Sequence, residues 1–228
     1  MFLFYDSTYL ILVPALILSI WAQSKISSTF NKYSKIYSSK GYTGSQVARM
    51  ILDSNGLVEV RIERVAGNLT DHYDPRDRVL RLSENVYSST SVASIGVAAH
   101  EVGHAIQHQQ EYRPLIIRNN IVPVVNISSR ASWVIFFIGI IMGLPFLTNI
   151  GIVLFSAVVL FQLITLPVEF NASNRAIKIL EDKSILYENE IVGAKKVLSA
   201  AALTYVAATL TAISQLLRLM ALSNRRND

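Results

Sequence analysis

Gly96-Val97-Ala98-Ala99-His100-Glu101-Val102-Gly103-His104-Ala105-Ile106 decides the fold, because it sets two imidazoles and a carboxylate at H-E-x-x-H spacing inside a helix-forming run. At 3.6 residues per turn His100 and His104 share one helix face, one turn apart, close enough to hold a single tetrahedral zinc. Glu101 stands beside them, placed to take a proton from a zinc-activated water that attacks a polarised carbonyl. Peptide hydrolysis suits that arrangement. The alternative is a buried helix that carries these polar groups without a metal. Ile95, Val97, Ala98 and Ala99 make that alternative costly, since imidazole and carboxylate groups among them need a partner. Gly103 gives up about 1 kcal/mol of helix propensity relative to alanine, which predicts close packing at that point.

The surrounding chain is apolar: 51% of its 228 residues are hydrophobic and the mean hydropathy is +0.37, too high for an ordinary soluble domain of this size. A net charge of +5 and a pI near 9.5 raise the question of nucleic acid. The lysines and arginines are scattered and no basic-aromatic platform is present, so membrane topology explains them better. With no cysteine, disulfides, thiolate metal ligands and a cysteine nucleophile are excluded.

Upstream of the motif, Tyr9 to Ala22 forms an apolar run, extended by Met1 to Tyr5 and ending near Trp21. It reads as an uncleaved transmembrane anchor, because no positive residue precedes it as in a signal peptide. Lys25, Lys32, Lys35 and Lys40 follow, and the positive-inside rule then puts the next segment in the cytoplasm. That segment predicts a helix at Ser45–Asp53, a turn at Asn55-Gly56, strands around Val58, Val60 and Ile62 and around Val79–Leu82, and helix caps at Ser88–Ser91. Downstream, Ala131–Leu147 and Gly151–Val168 are two apolar runs parted by Thr148-Asn149-Ile150, which predicts a transmembrane hairpin returning the chain to the side it left. The last helix, near Glu190 to Leu222, is uncharged from Val197 to Leu217. It is read as packed beside the soluble domain, since a crossing would put Arg218, Arg225 and Arg226 outside, against the positive-inside rule. The expected fold is thus a mainly α membrane protein with transmembrane helices and a small α+β, zincin-like domain. Its segments are a 1–22 anchor, a 23–130 cytoplasmic zinc domain, a 131–168 hairpin, and a 169–228 helical part.

Two histidines leave a zinc short of a ligand. The longer pattern H-E-x-x-H-x-x-G-x-x-H is absent, with Gln107 and Gln110 at its last two fixed positions. His108 lies about 12 Å along the helix from His100, too far to share one ion, and is read as packing or supporting the ligands. Glu169 is the candidate, since the hairpin returns it to the side of the motif; the alternative is an interfacial carboxylate that snorkels.

His100-Glu101-x-x-His104, a hydrophobic hairpin and then Glu169-x-x-Ala172 resemble the membrane gluzincins of the HtpX and prenyl-protein-protease type. Leu69-Thr70-Asp71-His72-Tyr73-Asp74-Pro75, the motif helix and Ala201-Ala202-Leu203-Thr204-Tyr205-Val206 more closely resemble the YugP-type neutral zinc metallopeptidases of bacterial membranes, across almost the whole chain. The resemblance implies a zinc-dependent membrane peptidase with His100, His104 and Glu169 as ligands and Glu101 as general base. Ser173 departs from the HtpX-type pattern, which has an aspartate there to orient a ligating histidine. Asn174 is a candidate substitute.

A peptidase also needs a donor for the developing oxyanion. His72 and Tyr73, in a turn-rich loop, and Tyr205, in the last helix, are candidates beside the reading of each as a structural residue. Three function classes follow. The first is a multi-pass metalloendopeptidase of the cell membrane acting on protein or peptide substrates, the second a non-catalytic membrane protein with a structural zinc. The third, a metal transporter, is disfavoured because the apolar runs carry no charged or histidine residue.

Overall fold

A computed structural model describes residues 7–227, with side chains to residue 224; the start of the expected N-terminal anchor, residues 1–6, and the side chains of Arg225 and Arg226 lie outside it. A 3-10 turn at Ser7–Ile11 leads into α1 (Val13–Tyr33), α2 (Gly44–Ser54), β1 (Arg61–Val65), β2 (His72–Asp74), β3 (Val79–Ser83), α3 (Glu84–Tyr87), α4 (Val92–Gln109), α5 (Arg113–Met142), α6 (Pro145–Asp182) and α7 (Glu188–Asn227). The protein is mainly helical with one small mixed sheet. Two compact units divide it. Of the described residues, one comprises 24–116 and 168–203, the other 7–23, 117–167 and 204–227.

The first unit contains the sheet, ordered β1-β3-β2, with β1 parallel and β2 antiparallel to the central β3. Val79, Leu80, Leu82 and Ser83 of β3 are fully buried, which is why that strand reads as an apolar run. Val58 and Val60, expected in a strand, precede β1; Val60 donates its amide to the Leu57 carbonyl in a turn. The 71–75 segment, expected as a loop, contains β2. Two aspartates pin its ends: Asp71 accepts from the Ser83 amide at 2.7 Å, and Asp74 from Arg81 at 2.9 Å. A capping box at Thr43 and Gln46 starts α2 where Ser45 was expected, and Ser91 caps α4 by accepting from the Ser94 amide. Val92, Ile95, Ala98, Val102 and Ala105 of α4 belong to a core built with α2, β3 and the 168–203 part of α6 and α7.

The second unit has its own core of Phe136, Phe155, Val159, Ala212 and Leu219, from α5, α6 and α7. The break in the expected hairpin falls earlier than Thr148-Asn149-Ile150. Gly143 (φ +70) ends α5, with its own amide bonded to Ile140 and the Leu144 amide bonded to Gly139. This is a Schellman motif, and Pro145 then opens α6. Glycine and proline are the punctuation, while Thr148 is buried in the first turn of α6.

Among the described residues, three helices are long and apolar enough to cross a membrane: α5, α6 and, over Glu188–Asn224, α7. Over its described residues α1 is not among them, since Ser19, Gln23, Ser24 and Lys25 interrupt its apolar character. For α7, packing beside the soluble domain and belonging with the apolar helices are not exclusive. Its residues to Leu203 pack in the first unit and those from Thr204 onward in the second.

Candidate metal centre

Four residues of α4 and of the 168–182 part of α6 make the site, all within one compact unit. Its foundation is a close approach of two helix backbones. A side-chain carbon at Gly103 would lie 2.8 Å from the Ala172 carbonyl oxygen and 3.3 Å from the Ala172 carbonyl carbon and Cα. Only glycine fits there, which explains its presence mid-helix despite its propensity cost. Ala172 is three residues beyond Glu169, so the approach brings Glu169 over the histidine face of α4.

The carboxylate Oε2 of Glu169 stands 3.3 Å from His100 Nε2 and 3.6 Å from His104 Nε2, and the three donor atoms all lie within 4.8 Å of one another. Zinc bonds of about 2.1 Å at tetrahedral angles separate neighbouring donors by roughly 3.4 Å. The donor types and spacing therefore fit zinc. This is the one group of three or more such side chains, among the described residues, able to hold a metal. Glu169 and His104 are buried, and the imidazole planes cross at 84°.

The outward ring nitrogens are also engaged. His100 Nδ1 hydrogen-bonds Ser173 Oγ at 3.1 Å, and His104 Nδ1 bonds Gln107 Oε1 at 3.0 Å. With Gln107 accepting, His104 carries its proton on Nδ1 and turns Nε2 toward Glu169. Gln107 is itself fixed, donating to the Val168 carbonyl at 2.8 Å and to Asn171 Oδ1 at 2.9 Å. Arg175 also donates to Asn171, at 2.7 Å, and to Gln110 at 2.6 Å. Such partners fix tautomer and ring orientation and raise ligand basicity.

Glu101 is buried next to His100 on α4. Burial pushes its carboxyl up to about 7; His100 opposes the rise, the negative charges of Glu169 and Asp71 add to it, and the backbone amide of Tyr73 pulls it down. Tyr73 lies on β2, so the edge strand of the sheet passes this carboxylate.

Other residues singled out in the sequence fall elsewhere. His108 bonds the Tyr73 hydroxyl through Nδ1 at 2.9 Å, tying the end of α4 to β2. His72 is exposed on β2 with Nδ1 against the Thr70 carbonyl at 2.8 Å. Asn174 lines a cavity of about 450 Å³ with Phe170, Ile177 and Leu198, and Ser173 itself takes the His100 contact for which Asn174 was the candidate. Tyr205 belongs to the other unit. Sequence reading missed Gln107, seen there only as the residue replacing a glycine, and Asn171. The signal for Gln107 is its i+3 spacing from His104.

A family model described as "putative neutral zinc metallopeptidase" matches residues 8–224. The chain belongs to this family. The protein named "Putative membrane protease YugP" of Bacillus subtilis (strain 168) is 54% identical over 217 residues, covering 95% of this chain and 96% of that protein. No solved structure matches the chain. Zinc is the metal of the family, and His100, His104 and Glu169 are the described residues able to hold it.

Proposed function

We propose that the protein is a membrane-embedded zinc metalloendopeptidase with His100, His104 and Glu169 as ligands and Glu101 as general base. The observation that carries this reading is the convergence of three protein donors, and no fourth among the described residues, on one point beside a buried carboxylate. Structural zinc sites are closed by four protein ligands, whereas three leave a position for water. His72, the residue that would favour a structural zinc, is not part of the group.

Bound zinc supplies Lewis acidity toward a carbonyl and toward water. The protein supplies the rest. Glu101 accepts the proton of the attacking water on its carboxylate and returns it to the leaving amine. Ser173 and Gln107 hold the two imidazoles in register. β2 is an edge strand, and its Tyr73 amide meets Glu101. An extended segment added along that edge would run past the base.

The substrate class follows from chain position. Glu169 directly follows the 151–168 apolar run on the same helix, which favours membrane proteins or unfolded segments at the bilayer surface as substrates. Lys25, Lys32, Lys35 and Lys40, after the N-terminal run, favour a cytoplasmic catalytic domain. The relative's name, "Putative membrane protease YugP", supports membrane association.

The test is zinc content and casein cleavage by the detergent-purified chain and by Glu169→Ala. One zinc per wild-type chain, lost together with cleavage in the variant, is the expected result. A variant that keeps one tightly held zinc removes Glu169 from the ligand set.

A further inference from the structure

Away from the metal centre, the first unit holds a cavity of about 820 Å³ between α1 and α7. Four lysines line it: Lys25 and Lys32 from α1, Lys195 and Lys196 from α7. Lys25, Ser28, Thr29 and Lys32 recur at i, i+3, i+4 and i+7, so they form one face of α1. Val192, Lys195, Lys196 and Ser199 do the same on α7. No carboxylate lies among the lining residues, and no ion pair among the described residues includes any of the four lysines. Four like charges around one space repel each other until an anion enters. The same cavity has an aliphatic part, with Val192, Ala200 and Leu203. Ammonium and hydroxyl donors beside aliphatic surface match an amphiphile with an anionic head.

The sequence places these lysines at a boundary on both helices. On α1, Leu16, Ile17, Ile20 and Trp21 are exposed just before Lys25. On α7, the uncharged run Val197–Leu217 begins immediately after Lys196. Polybasic positions beside apolar helix runs are where phospholipid phosphates lie. Lysine binds phosphate as a point charge, and the hydroxyls of Ser28, Thr29 and Ser199 supply further donors.

We propose that this α1–α7 cavity binds the phosphate of an anionic glycerophospholipid, making the family member a specific lipid binder as well as a peptidase. The inference rests on the membrane association proposed above and is independent of catalysis. A free phosphate shares the head chemistry but makes no use of the aliphatic part.

The experiment is native mass spectrometry of the zinc-loaded full chain in non-ionic detergent, with dioleoylphosphatidylglycerol, dioleoylphosphatidylcholine or inorganic phosphate added. One phosphatidylglycerol per chain is expected, retained at concentrations where phosphatidylcholine is not. The triple variant K25Q/K195Q/K196Q weakens it about a hundredfold, at roughly fivefold per lysine. The triple variant K35Q/K40Q/K183Q, equal in charge but outside the cavity, changes it less than threefold. Ser199→Glu, a single substitution that puts a carboxylate in the cavity, lowers retention as well and guards against misfolding of the triple variant, with zinc content and helical circular dichroism as the check. Equal weakening by both triple variants, equal retention of phosphatidylcholine, or full displacement of the lipid by millimolar phosphate would overturn the proposal. A chain that stays dispersed in buffer without detergent overturns the membrane reading and the lipid site with it.

Discussion

Replacing Gly103 by alanine tests whether backbone contact between α4 and α6 sets the metal geometry. On propensity alone the change stabilises α4 by about 1 kcal/mol. The added methyl would stand 2.8 Å from the Ala172 carbonyl oxygen and 3.3 Å from two further backbone atoms, none of which can rotate away. Restoring ordinary contact requires the helices to part by roughly half an ångström. Overpacking of this kind costs about 1–3 kcal/mol, so the net loss of stability is about 0–2 kcal/mol. The effect on zinc is larger in proportion. Metal–ligand distances tolerate only about 0.2 Å. Parting α6 from α4 would widen the 3.3 and 3.6 Å separations between Glu169 and the two histidines away from the roughly 3.4 Å that tetrahedral zinc prefers. Zinc affinity is expected to fall at least tenfold, about 1.4 kcal/mol. Competition with a chromophoric chelator measures the affinity, and thermal melts with and without EDTA measure the stability. A variant with zinc affinity within twofold of wild type and an unchanged or raised melting temperature would refute the reasoning.

Three further outcomes are expected. Gln107→Ala and Ser173→Ala each free one imidazole from its outer partner, and each should weaken zinc binding about 10- to 100-fold without loss of helical signal; unchanged zinc titrations would show that these contacts do not tune the ligands. Asp71 is held above its ordinary range by burial, against hydrogen bonds from Ser83. Its contribution to stability is full below about pH 3.9 and is lost as pH rises through the raised folded value, so the melting temperature of Asp71→Asn minus that of wild type should climb from pH 4 to pH 7. A difference that falls with pH would reverse the sign of the argument. Gly143→Ala, at φ +70, should destabilise the α5–α6 turn by about 1 kcal/mol or more in denaturant unfolding, and a neutral result would contradict the Schellman assignment.

What could be read from the sequence was what depends on local spacing or on strong apolar runs. The pairing of His100 with His104 is a one-turn repeat, and Glu169 followed from the expectation of a hairpin, whose two helices part at Gly143 and not at Thr148. The polar triplet at 148–150 misled because uncharged polar residues fit a first helical turn, whereas Gly143 and Pro145 cannot continue one. β2 was hidden for another reason. Its three residues are too few to show alternation, and they are strand because Asp71 and Asp74 anchor them to β3. Ser173 is a long-range partner whose role appears only when α6 lies on α4, whereas Gln107 is i+3 from His104 and only its anchorage to Val168 and Asn171 is long-range. In α7, one continuous apolar pattern serves two cores, a division that periodicity does not reveal.

The most direct test of the account is cleavage of an unfolded protein by the detergent-purified chain compared with Glu101→Gln at equal zinc content. General-base assistance contributes about 10²- to 10⁴-fold, so the variant should keep its zinc and lose at least a hundredfold in rate. A zinc-loaded Glu101→Gln that cleaves at the wild-type rate would contradict the assignment of Glu101 and the mechanism built on it.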